Sequence, residues 1–121
     1  GVPVVDLPAD PEPPRIAALD VLRGYHGECA APDGTSLLSQ LLFYSAAISA
    51  TKQSAAGMRY ALRVNPSSGN LHPTEFHFTT SGLAGWPDGV YHYRPSSHMA
   101  EQRAAGNART GLHFLLTTIA W

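Results

Sequence analysis

The segment Asn65-Pro66-Ser67-Ser68-Gly69-Asn70-Leu71-His72-Pro73 holds more polar chemistry than a simple connection needs. Its two prolines hold φ near about −65° and stiffen it. Gly69 lacks a Cβ and lets another group approach the backbone. Ser67, Ser68, Asn70 and His72 offer donors and acceptors beyond those the loop can use itself. Such a surface suits a polar, planar or phosphorylated ligand. The competing reading is a rigid turn capped by its own Ser and Asn side chains.

A second block lies downstream: Gly89-Val90-Tyr91-His92-Tyr93-Arg94-Pro95, followed by His98. With a strand between them, the two blocks in this order resemble the nitroreductase family of FMN oxidoreductases. The first resembles that family's flavin-contacting loop. The second resembles a strand and turn of its SagB-type dehydrogenase branch, which includes azoline oxidases of peptide natural-product pathways. Arg63, three residues before Pro66, fits that branch as well. The resemblance covers residues 36–121.

The resemblance implies an α+β fold, a nitroreductase-like mixed sheet flanked by helices. It implies FMN at a homodimer interface, contacted by both subunits. It also implies ping-pong hydride transfer: a small-molecule or peptide substrate, or a nicotinamide donor, reduces the flavin, and an acceptor reoxidises it. Pro66, Ser67, Ser68 and Asn70 carry over as flavin contacts, and His72 stands where many relatives have Gln. For the phosphate, the family presents an Arg-x-Ser-x-(Lys/Arg)-x-(Phe/Tyr) segment. Arg23-Gly24-Tyr25 matches its end, but its earlier Arg and Ser fall on Leu19 and Val21, which cannot bind phosphate. Arg63 is the second candidate for an anion contact.

No catalytic residue is assigned. The branch ties catalysis to a Lys-Tyr pair beyond the stretch that matches here. The expectation is that these residues form the first half to two thirds of the domain, completed by a second chain or belonging to a longer protein. The alternative reading is a non-catalytic nitroreductase-like fragment or binding module that acts as a partner surface. A third is a small-ligand binding protein whose loop holds something other than flavin.

Composition narrows the classes. At 121 residues the chain is one domain by length. Charged residues are 14%, low enough that burial of surface against a partner is expected. A net charge of −1 gives no electrostatic footprint for nucleic acid or an anionic membrane. Cys29 is the only cysteine, so no internal disulfide forms. His26 and Cys29 alone do not make a zinc site, and the remaining histidines show no ligand spacing. These residues contain no recognisable signal peptide and no apolar run of membrane-spanning length, so a cytoplasmic location is the expectation.

Five prolines in residues 1–14 read as an extended arm or linker outside the core, with the domain proper spanning 15–121. Ile16, Leu19 and Leu22 predict a short helix closed by Gly24. Pro32-Asp33-Gly34 is a turn, and Thr35 or Ser36 caps the next helix. That helix carries a broad apolar face of Leu37, Leu38, Leu41, Leu42, Ala46 and Ile48, expected to be buried. Residues 51–58 are small and polar and leave the core. The alternation of Glu75–Thr80 predicts a strand. It pairs with a second strand at Val90–Arg94, bringing His77 and His92 across from each other. Ala100–Ala105 reads as a helical turn, and Leu112–Ala120, rich in β-branched residues, as a strand.

Overall fold

A computed structural model of the protein describes residues 1–25, 33–109 and 111. In chain order its elements are β1 (Val4–Asp6), α1 (Ala18–Leu22), α2 (Gly34–Ala46), β2 (Ile48–Gln53), β3 (Arg59–Arg63), β4 (His77–Thr80), β5 (Gly89–Arg94) and β6 (Met99–Ala105), with a 3-10 turn at Ser68–Asn70. The class is α+β, as expected. One sheet has the order β1-β6-β5-β4 and a separate hairpin pairs β2 with β3; these pairings are all antiparallel.

β4 and β5 form the expected hairpin, with His77 opposite His92 and Thr80 opposite Gly89. Alternation puts Tyr91 and Tyr93 on the inner face of β5, and both are fully buried. α2 lays Leu38, Leu42 and Ala46 over this face at four-residue spacing. Trp86, in the β4–β5 connection, closes one end. Its indole N–H donates to Thr35 Oγ1 at 2.9 Å, and its ring meets Tyr91 edge-on.

Four local expectations change. First, Asp33 rather than Thr35 or Ser36 caps α2, accepting from both of their backbone N–H groups. Those bonds and one from the Ser36 hydroxyl favour the carboxylate and pull the Asp33 pKa below its ordinary value. Second, the buried stripe of α2 is narrower than the apolar pattern: Leu37 and Leu41 are exposed, and Ile48 already belongs to β2. Third, residues 100–105 form β6, not a helical turn. Their composition favours helix, but β5 on one side and β1 on the other offer ladders that outweigh local preference.

Fourth, the N-terminal segment is extended but not free of the core. Val4–Asp6 adds an edge strand to β6, and Leu7 is buried with the sheet. A proline-rich stretch suits an edge, where a missing N–H costs no ladder bond. Residues 51–58 leave the core as expected and form the turn end of the exposed β2–β3 hairpin, which uses Gly57 at φ +82°. The Leu112–Ala120 strand lies outside the described residues, as do His26, Cys29 and Pro32. Among the described residues, no helix is long and apolar enough to cross a membrane.

Candidate functional site

The Pro66 loop runs from the end of β3 towards β4 and folds back on β3. Gly69, Asn70 and His72 all have left-handed backbone, at φ +62°, +57° and +45°. A non-glycine residue there costs on the order of 1–2 kcal/mol, so hydrogen bonds must hold it. The Ser67 hydroxyl accepts from the His72 backbone N–H at 2.8 Å, and the Ser67 carbonyl accepts from Asn70 N–H at 3.1 Å. Asn70 Nδ2 donates to the Ala61 carbonyl of β3 at 2.9 Å.

That last bond orients the whole loop. With Nδ2 on a carbonyl, Asn70 Oδ1 faces His72 Nε2 at 2.9 Å. Oδ1 only accepts, so Nε2 carries the proton. In the neutral ring Nδ1 is then a bare acceptor. It is buried and has no partner among the described residues.

Two further buried atoms share this condition, Arg63 Nη2 and Asn65 Oδ1. Among the described residues, all buried side-chain polar atoms without a partner thus fall between residues 63 and 72. Buried polar atoms are nearly always satisfied, because an orphan costs about 1–3 kcal/mol. Three in ten residues set this stretch apart from the rest of the described residues.

Arg63 is the strongest of the three. Its side chain is only 8% exposed, Nε donates to the Ala46 carbonyl at 3.2 Å, and the guanidinium lies over Phe76 at 5.7 Å. Its one carboxylate neighbour among the described residues, Glu75, stands 3.9 Å from Nη1. Glu75 also approaches His92 Nε2 at 3.5 Å, and His92 Nδ1 approaches Glu101 at 3.3 Å. Partial burial pushes the Glu101 pKa up, but His92, Arg103 and Arg94 outweigh it and hold the carboxyl below its ordinary value. A string of polar and charged side chains therefore runs from buried Arg63 through Glu75 and His92 to Glu101.

The other sequence-predicted residues are placed differently. Pro66 and Ser68 are exposed, and the Ser68 hydroxyl has no partner among the described residues. Ser67 spends its hydroxyl on the loop. Asn70 uses one amide N–H and one lone pair internally and keeps one of each. Gly69 is required by its φ rather than by crowding, since a Cβ there would only touch Leu71 at 3.7 Å. Arg23 ends α1, is mostly exposed and pairs with Asp20 at 3.2 Å; no described contact ties it to the loop. Asn65 and the free nitrogen of His72 were not legible as orphans in the sequence, because tautomer and burial depend on the fold.

This set suits a ligand edge that carries carbonyl acceptors and an N–H donor, as the pyrimidine edge of a flavin does. It suits a phosphate dianion less well. No described contact brings Arg23 to the loop, and Leu19 and Val21 are exposed apolar side chains. Two concavities, of about 340 and 400 Å³, lie beside α2, and neither is lined by residues 63–72.

One solved structure, described as a "putative nitroreductase" from Anabaena variabilis ATCC 29413, superposes with a TM-score of 0.59 at 28% identity. The match covers 71% of this chain and 18% of that chain. The fold is nitroreductase-like. The chain spans under a fifth of its structural neighbour's length. No family model matches this sequence, and no curated protein matches it.

Proposed function

We propose that this chain is part of an FMN-dependent oxidoreductase of the SagB-type dehydrogenase branch, with residues 63–72 holding the pyrimidine edge of the flavin. The observation that carries this reading is the cluster of orphaned atoms. Arg63 Nη2 offers a charged donor to a ring carbonyl, while Asn65 Oδ1 and His72 Nδ1 offer acceptors to a ring N–H. Ser68 and the spare N–H of Asn70 are available to ribityl hydroxyls or ring edges. FMN, when bound, supplies hydride relay between a substrate or nicotinamide donor and an acceptor. The protein's share is to bind, orient and exclude water.

Because the phosphate lacks a partner among the described residues, a second subunit or further chain completes the site in this reading. A homodimer with flavin contacted from both sides meets that need, in the cytoplasm. The exposure of Arg23 favours one rival, a binding module that keeps the fold without the chemistry.

The test is the visible spectrum of the purified chain, followed by heating and identification of any chromophore released. FMN in near-stoichiometric amount, reduced by Asn70→Ala, supports the oxidoreductase. A colourless protein that ignores added FMN supports the module.

A further inference from the structure

His98 closes the turn between β5 and β6 with left-handed backbone, φ +49°. Its ring sits inside a chain of hydrogen bonds whose direction is determined from one end. The Pro8 carbonyl only accepts, so the Ser39 hydroxyl donates to it at 2.7 Å. Ser39 Oγ must then accept from His98 Nε2–H at 2.9 Å. This leaves His98 Nδ1 as an acceptor, and the Tyr93 hydroxyl donates to it at 2.8 Å. Tyr93 and Ser39 are fully buried.

The same residue also holds the N-terminal segment through its backbone. The His98 carbonyl accepts from Leu7 N–H at 3.3 Å. One histidine thus fastens residues 7 and 8 by two routes, next to the β1–β6 pairing of Asp6 with Met99.

We propose that His98 is an acid-released latch: a proton taken up on Nδ1 breaks this chain and frees the N-terminal segment from α2 and β6. With Nδ1 protonated, a donor faces the Tyr93 hydroxyl. That hydroxyl must turn its own proton away into a buried site with no acceptor among its described contacts. The cost of such an orphan is a large fraction of a small domain's stability.

Among the described residues, no carboxylate contacts the ring to offset it. The ring is faced from α2 by Ser39 and Phe43, from β5 by Tyr93, and from the N-terminal segment by the Pro8 carbonyl. Arg63 is the charged group acting on Tyr93. Burial lowers the His98 pKa, and the Pro8 carbonyl opposes it only in part. The latch therefore stays closed near neutrality and opens below it.

Amide hydrogen exchange on the full chain, from about pH 8 to about pH 5, tests this. The protection factor of Leu7 N–H, bonded to His98, should fall at least about tenfold more than that of Tyr93 N–H, bonded to Phe76. Tyr93→Phe, which removes the stranded hydroxyl, should shrink the acid loss. His98→Asn, whose side chain tolerates the positive φ, should abolish it. Equal pH dependence of the two amides, or an undiminished acid loss in His98→Asn, overturns the proposal. Should a variant not fold, the ring nitrogen shifts of the wild-type chain decide: an Nε2–H ring at neutral pH is expected, and an Nδ1–H ring overturns the latch.

Discussion

The two sequence blocks that carry the family resemblance lead opposite lives in the fold. In the block from Gly89 to His98, the inward polar groups are spent on the protein. The hydroxyls of Tyr91 and Tyr93 and both His98 nitrogens are partnered, and the two tyrosines are fully buried. In the block from Arg63 to His72, the backbone is left-handed at three positions and three buried atoms have no partner. One block builds the body of the molecule and the other is left unfinished. Strain and unsatisfied groups persist only where the surroundings or a ligand compensate, so a ligand is to be sought at the second of these.

The largest effect should come from the finished block. Tyr93→Ala removes a fully buried ring and the hydroxyl that holds His98. Denaturant unfolding should show a loss of about 3–5 kcal/mol, enough to unfold a marginal domain. Gly89→Ala should cost about 1–3 kcal/mol by overpacking, since a Cβ there would stand 2.7 Å from the backbone oxygen of Ala104. Losses below about 1 kcal/mol at both positions would break the contrast between the blocks.

Acid sharpens the same contrast. Burial lowers the folded-state pKa of His98 below its ordinary 6.5. The unfolded chain then binds the proton more readily than the folded one. Stability contributed by the neutral ring is complete above about pH 6.5 and is lost as pH falls from there towards the folded value, by at most about 1.4 kcal/mol per pH unit. Urea midpoints measured across that window should fall for the wild-type chain and be flatter for His98→Asn. Tyr93 adds nothing there: burial, only partly opposed by Arg63, holds its pKa up at about 12.

The unfinished block should show the reverse pattern, little stability and much binding. Arg63→Met removes a buried charge whose Nη2 has no partner and keeps much of the stem's packing over Phe76. Unfolding free energy should fall by no more than about 1–3 kcal/mol, the cost of leaving the Ala46 carbonyl without its Arg63 donor, while FMN affinity by titration should drop at least about tenfold. A variant that is destabilised yet binds FMN as before would make Arg63 a structural residue.

How much of this was legible follows from the same division. Short-range alternation announced β4, β5 and their pairing down to His77 opposite His92, because a two-residue period leaves few registers. The composition of β6 pointed the wrong way, since its state is decided by neighbours distant in sequence. The prolines of residues 1–14 described an extended chain but could not say that Leu7 turns inward. At the site, residue types singled out the loop from Pro66 to His72. Which of its groups are free was hidden, because the Asn70–Ala61 bond that sets the His72 tautomer joins residues nine apart through a fold-dependent turn.

Gly69 gives the smallest effect and the cleanest contrast with Gly89. At Gly89 space is the constraint; at Gly69 it is conformation. A Cβ at 69 would meet only the Leu71 side chain, at ordinary contact distances of 3.7 and 3.8 Å, but φ is +62°. Gly69→Ala should therefore cost about 1 kcal/mol by thermal or urea unfolding. Gly69→Asn should cost less than Gly69→Ala, since Asn enters the left-handed region more readily. At Gly89 that order should invert, because the larger side chain meets backbone. If alanine were the better tolerated at both positions, the left-handed turn would not be what holds the loop, and the orphaned atoms around Arg63 and His72 would lose the scaffold that keeps them together.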